Sequence, residues 1–179
     1  MKNLTLLIFA LFVVGSATAQ QEKKAVKKGY QFKTVKVVKA SPVKDQYRSG
    51  TCWSFSTLSF LESEIIRQGG PVIDLSEMWV VRHVYSEKAK RHVRMHGHFN
   101  FGGGGALNDP VDIMTAYGLV PEKAYEGLSY GEENHVHGEL DNVLSEYVEA
   151  VIENKNRKLT TAWHDGFNGI LDAYLGATP

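Results

Sequence analysis

Apolar side chains at Phe55, Leu58, Leu61 and Ile65 recur at intervals of three and four residues, the period of one helix face. The spacing predicts a helix over 52–68, stopped by Gly69-Gly70-Pro71. Ser76 is a natural N-cap for a second helix, with Glu77 in the first turn where a carboxylate is favoured. That helix carries Trp79, Val80 and Val84 and runs to about Met95. A short helix over 110–117 ends at Gly118. Leu140, Val143, Leu144, Tyr147, Val148, Val151 and Ile152 form one more amphipathic stripe, and Trp163, Phe167, Ile170, Leu171 and Tyr174 form another. Before all of these, residues 32–40 alternate around Val35, Val37 and Val38, which predicts a short strand closed by Pro42. The chain reads as mainly helical, without the βαβ alternation of a parallel sheet and without an internal repeat.

The extreme N-terminus is a different kind of pattern. Lys2 precedes a nearly unbroken apolar run over 4–14, followed by Gly15, Ser16 and Ala17-Thr18-Ala19-Gln20. A positive start, an apolar centre and an Ala-x-Ala site describe an export signal cleaved after Ala19. An apolar run of about 11 residues is short of the ~20 that span a bilayer. Residues 1–19 are therefore read as a signal peptide of an exported protein, with no membrane span after cleavage. Residues 20–31, with Lys23, Lys24, Lys27 and Lys28, read as a mobile basic leader.

Composition narrows the function. The apolar fraction of 43% is enough for a packed core. Lys+Arg and Asp+Glu are both 20, so no global field favours nucleic acid. Cys52 is the single cysteine. In an exported protein, where disulfides form, a lone thiol is either incidental core or a reactive group.

The neighbours of Cys52 favour the second. It stands in the first turn of the predicted 52–68 helix, after Ser49-Gly50-Thr51. A helix N-terminus holds unpaired N–H groups and partial positive charge. Both favour thiolate over thiol, and the thiolate is the nucleophile. The same N–H groups can donate to an oxyanion forming on a bound carbonyl. Gly50 permits close approach of backbone to substrate. Gln46 can add a side-chain N–H to the same oxyanion.

The stretch Gln46-Tyr47-Arg48-Ser49-Gly50-Thr51-Cys52-Trp53-Ser54-Phe55-Ser56 resembles the active-site segment of papain-like cysteine peptidases. The resemblance implies Cys52 as nucleophile and Gln46 as part of the oxyanion hole. Ser49 stands where the best-known members carry a disulfide cysteine. This version is more similar to the bleomycin hydrolase and aminopeptidase C branch. Leu75-Ser76-Glu77, Gly104-Gly105-Ala106-Leu107 and Ala116-Tyr117-Gly118-Leu119 resemble later segments of the family. They imply that Gly104 and Gly105 hold the peptide main chain, that Leu107 contacts the second-subsite side chain, and that Trp53 belongs to the substrate site. Residues 32–179 are then the helical left lobe of an α+β enzyme, with 130–179 resembling the helical insertion of that branch. The resemblance implies peptide as substrate, no cofactor and no metal; it leaves oligomeric state and endopeptidase against aminopeptidase action open.

The family's mechanism also needs a His that takes the thiol proton and an Asn that orients it. In papain-type members these lie about 130–150 residues after the Cys, farther than this sequence extends. The resemblance therefore implies that the β-rich second lobe is not represented and that these residues alone turn over little or no substrate. His164 with Asn168 is the most tempting internal pair, on a predicted helix but outside any family-like context. His92 and His96 are four apart, as metal ligands on a helix face are, yet Arg91 and Arg94 surround them. A solvated basic face is the expectation for this cluster with His83 and His98. His135-x-His137 is expected to lie in a loop. Two other functions stay in competition: a peptide-binding or inhibitory module without catalysis, and a metal-binding protein using the histidines.

Overall fold

Nearly every face of the second helix is buried, and the rest of the fold follows from that. The computed structural model describes residues 29–156 and 158–179; the expected signal peptide and most of the basic leader lie outside them. In chain order the helices are α1 (Cys52–Arg67), α2 (Glu77–Arg94), α3 (Asn108–Tyr117), α4 (Gly138–Ile152) and α5 (Ala162–Leu175), with a 3-10 turn at Glu122–Ala124. Each lies within a residue or two of its predicted span, as periodic stripes allow.

α2 starts where Ser76 Oγ accepts the Trp79 N–H at 3.0 Å, and Arg91, His92 and Arg94 close its last turn. Both ends thus suit the helix dipole. Met78, Val80, Val81, Val84, Tyr85, Ala89 and Val93 along it are all buried. A helix buried on so many sides is surrounded by its neighbours, and α2 packs against α1, α3, α4 and α5. α1 also packs on α3, and α4 on α5. Each large apolar side chain so buried contributes about 1.5–3 kcal/mol.

Extended pairing is limited to two isolated bridges among the described residues. Leu75 pairs antiparallel with Pro121, and Arg48 pairs parallel with Val136. The fold is mainly helical, as the periodicity predicts. The strand expected over 32–40 does not form. Those residues carry no regular structure, and Val35 and Val37 are exposed. Alternation describes a face to be buried, and a strand needs a neighbouring edge to pair with. Residues 29–37 belong to a separate unit, with the Tyr30 and Phe32 rings 6.3 Å apart. No helix among the described residues is long and apolar enough to cross a membrane.

Half of the histidine cluster differs from the solvated face expected of it: His96 and His98 are exposed, but His83 and His92 are not. His83 is buried between the rings of Trp79 and Tyr117, at 4.2 and 4.4 Å. His92 is buried too, with Nδ1 on the Phe99 carbonyl and Nε2 3.0 Å from Glu149 Oε1. His96 lies past the end of α2 with a left-handed φ of 50°. The arginines nearby mark polarity in sequence, whereas α3 and α4 cover the helix face that holds the imidazoles.

Candidate active site

Cys52 is the first residue of α1, and it is exposed. Ser54 and Phe55 both donate their N–H groups to the Thr51 carbonyl, at 2.9 and 3.3 Å. The N–H of Cys52 precedes the intrahelical ladder, where helix donors have no internal acceptor. Beneath it, Ser49, Thr51 and Ser54 are buried, and Ser54 Oγ donates to the Glu77 carbonyl at 3.1 Å. The start of α1 is thereby fastened to the start of α2.

The loop leading into Cys52 turns by two left-handed residues, Tyr47 (φ 50°) and Gly50 (φ 70°). Asp45 Oδ1 accepts the Tyr47 N–H at 2.7 Å and supports the first. Gly50 has open space where a Cβ would stand. Backbone handedness therefore calls for glycine there. The loop is held from outside by the strand-like contact at Arg48. Its N–H donates to the His135 carbonyl at 3.0 Å, and its carbonyl accepts from the His137 N–H at 3.3 Å.

Gln46 and Cys52 open onto one cavity of about 310 Å³, with Phe55, Ser56 and Ser59 on its α1 side. Gln46 Oε1 is buried and without a hydrogen-bond partner. Lys44, two residues earlier, reaches inward. Its Nζ lies 2.8 Å from Glu77 Oε1, 3.2 Å from Glu62 Oε1 and 2.5 Å from Asp74 Oδ1, and it donates to the Leu75 carbonyl at 3.1 Å. Burial opposes the ammonium, but hydrogen bonds to Asp74 and Glu77 and the charge of Glu62 outweigh it. They hold the Lys44 pKa above its usual value.

The glycine run lies over Trp53. That indole is buried, and its Nε1 donates to the Gly103 carbonyl at 3.0 Å. A Cβ on Gly105 would stand 2.5 Å from Trp53 Cδ2, so no larger residue fits there without displacing the loop. Gly104 and Gly105 are themselves exposed. Leu107, also exposed, lies next to α3 and lines an apolar hollow of about 390 Å³ with Thr57, Phe60, Leu61 and Val111.

Sequence reasoning undervalued two polar groups, one in this region and one between α2 and α5. His135-Val136-His137 is a loop, as expected, but it is the loop that clamps Arg48. His137 is fully buried with neither ring nitrogen bonded. Burial, and then the neighbouring His135, push its pKa down to about 4. His164 and Asn168 do pair, with Asn168 Nδ2 3.4 Å from His164 Nδ1, and both also meet Ser86 of α2. Ser86 Oγ donates to Asn168 Oδ1 at 2.9 Å and lies 2.9 Å from His164 Nε2.

A family model described as papain family cysteine protease matches residues 28–166. The chain belongs to the papain family. That match includes the Gln46–Cys52 loop, α1, α2, the glycine run and α3. Among characterised papain-family proteins, the digestive cysteine proteinase 2 of Homarus americanus is 35% identical over 86 residues. The shared stretch covers 48% of this chain and 24% of that relative, so the chain spans about a quarter of the lobster protein's length. The mainly helical architecture is that of the helical lobe of a papain-like enzyme.

Proposed function

We propose that the protein is an exported cysteine peptidase of the bleomycin hydrolase and aminopeptidase C branch. Cys52 attacks the peptide carbonyl, and the amine leaves to give an acyl-thioester on Sγ. The Cys52 backbone N–H and the Gln46 side-chain amide donate to the oxyanion formed on the way. The carrying observation is that an exposed thiol at a helix start and the Gln46 amide share one cavity. Gly104 and Gly105 bind the peptide main chain, with Trp53 as the platform beneath them. The apolar hollow beside Leu107 supports its reading as a second-subsite residue. Ser49 in place of a disulfide cysteine supports the branch. The leader composition supports export and cleavage of 1–19, and the same reading treats 20–31 as a basic leader and 130–179 as an insertion.

The proton acceptor is supplied from outside these residues. His83, His92 and His164 each have partners away from Cys52, which supports this division of labour. The test is labelling by a peptidyl epoxide or vinyl sulfone. Cys52 is expected to react far faster than a cysteine placed on the surface of α5. Equal rates would exclude an activated thiol. The commitment of these three histidines favours a second reading, in which these residues bind peptide without turning it over. Saturable peptide binding by the intact protein with no cleaved product would establish it.

A further inference from the structure

The carbonyls of Gly102, Gly103 and Gly104 are all taken by the helices beside them. Lys88 Nζ donates to the Gly102 carbonyl at 3.2 Å and also to the Gly104 carbonyl. Trp53 Nε1 takes the carbonyl between them. The Lys88 ammonium is also 5.9 Å from the centre of the Trp53 ring, within the range of a cation–π contact. On the other side Gly103 is wedged: a Cβ there would lie 3.1 Å from both Asp141 Oδ2 and Tyr85 Oη. Tyr85 Oη donates to Asp141 Oδ1 at 3.3 Å. Asp109 Oδ2 accepts the Ala106 N–H at 2.8 Å and ends the loop.

In a trans peptide the C=O and the following N–H point in opposite directions. A carbonyl of Gly104 drawn to Lys88 therefore turns the Gly105 N–H away from α2. The Gly103 carbonyl on Trp53 likewise turns the Gly104 N–H away from α1. Two exposed donors are thus presented in fixed orientation, because one cation and one indole have consumed the acceptors behind them. An ammonium suits this work: it is a compact charge with three donors and no acceptor. Burial depresses the Lys88 pKa, and the carboxylates of Asp109 and Asp141 oppose that.

We propose that Lys88 is a positioning residue for peptide binding, fixing the glycine loop so that the Gly104 and Gly105 N–H groups face the substrate main chain. This rests on the reading of the glycine loop as the peptide site. Lys88 itself touches no substrate. It acts through the loop, so its removal is felt by ligands that use the loop and not by those that only reach the thiol.

The experiment compares the full-length enzyme with its Lys88→Met and Lys88→Arg variants. Labelling of Cys52 is timed with a peptidyl vinyl sulfone and with iodoacetamide, and hydrogen exchange is followed over residues 102–106. Lys88→Met is expected to slow the peptidyl probe about tenfold, the scale of one lost charged hydrogen bond. Iodoacetamide labelling should stay within about twofold, because it needs the thiol alone. Exchange in the loop should rise, and Lys88→Arg should restore most of the peptidyl rate. Unchanged loop exchange in Lys88→Met overturns the proposal. Faster exchange with an unchanged peptidyl rate instead overturns the reading of the loop as the peptide site, and the positioning role with it. An equal fall in both labelling rates shows general damage to the site and also overturns it.

Discussion

Around Lys44 the segment that carries Cys52 is held by three carboxylates, two of them almost fully buried, and by backbone bonds to residues 135 and 137. The glycine loop across Trp53 has no such foundation. One ammonium, one indole and one carboxylate hold it, and its Gly104 and Gly105 backbone is exposed. The contrast matches what each part has to do in the proposed mechanism. A nucleophile must stay within a fraction of an ångström of its oxyanion donors. A loop that receives varied peptides needs its donors aimed, while some give in the chain is tolerable. Stability is therefore concentrated under the nucleophile, and the glycine loop is controlled locally.

The largest expected effect comes from removing the thiol. Cys52→Ala should abolish covalent labelling by a peptidyl vinyl sulfone, read as loss of the adduct mass. Because the side chain is exposed, the melting temperature should barely move. Next comes Gly105→Val, which sets a branched side chain against Trp53 where a Cβ alone would already lie 2.5 Å from the ring. A displacement of this kind should slow peptidyl labelling about 100-fold, again with a small change in melting. If the two regions were equally structural, Gly105→Val would unfold the protein instead.

Lys44→Met tests the other side of the comparison. It leaves Glu62 and Glu77 buried without their cation. Breaking a buried pair from one side costs about 3 kcal/mol or more, visible as a lower denaturant midpoint. A midpoint equal to that of Lys88→Met would erase the distinction drawn between the regions.

Acid offers a gentler probe of the clamp on Arg48. The His137 pKa is depressed by burial to about 4 in the folded chain, against 6.5 for the free side chain. The unfolded state therefore binds the proton first as pH falls. The contribution of His137 is complete above pH 6.5 and is lost progressively down to about pH 4. Between pH 7 and 4.5 this is about 2 kcal/mol, and His137→Phe should flatten that part of the stability profile. The smallest effect is expected at Glu122, whose half-buried carboxylate is screened by solvent so that only part of its shift is expressed as stability. Burial first, and then the charges of Glu77, Asp74 and Glu126, raise its pKa to about 8, with Lys44 opposing. Here the folded state holds the proton that the unfolded chain releases, so stability falls as pH rises from about 4.5 to 8. Glu122→Gln should raise the melting temperature slightly at pH 8 and leave it unchanged at pH 4.

Much of the helical frame is legible in the sequence because a stripe such as Phe55, Leu58, Leu61 and Ile65 records one buried face directly. The Gln46 to Cys52 spacing is legible for a similar reason: a loop and helix start keep those residues near one another whatever the rest does. What could not be read depends on distant partners. Nothing near His83 or His92 in sequence announces Tyr117 or Glu149. Lys88 looks like an ordinary surface lysine until the Gly102 and Gly104 carbonyls are folded back onto it. The Arg48 bridge involves one residue on each side, which leaves no alternation to detect. Conversely, the alternation around Val35 and Val37 is real in sequence but finds no edge to pair with.

The Arg48 bridge has a consequence for the order of assembly. It joins the nucleophile loop to a segment that follows α3, so it forms only after α1, α2 and α3 have all been synthesised. Such distant pairing is slow, because loop closure is unfavourable before the contact compensates for it. During synthesis Cys52 is therefore already out while the loop that carries Gln46, the proposed oxyanion donor, is still loose. The growing chain cannot fasten the loop before Cys52 until residues 135–137 arrive.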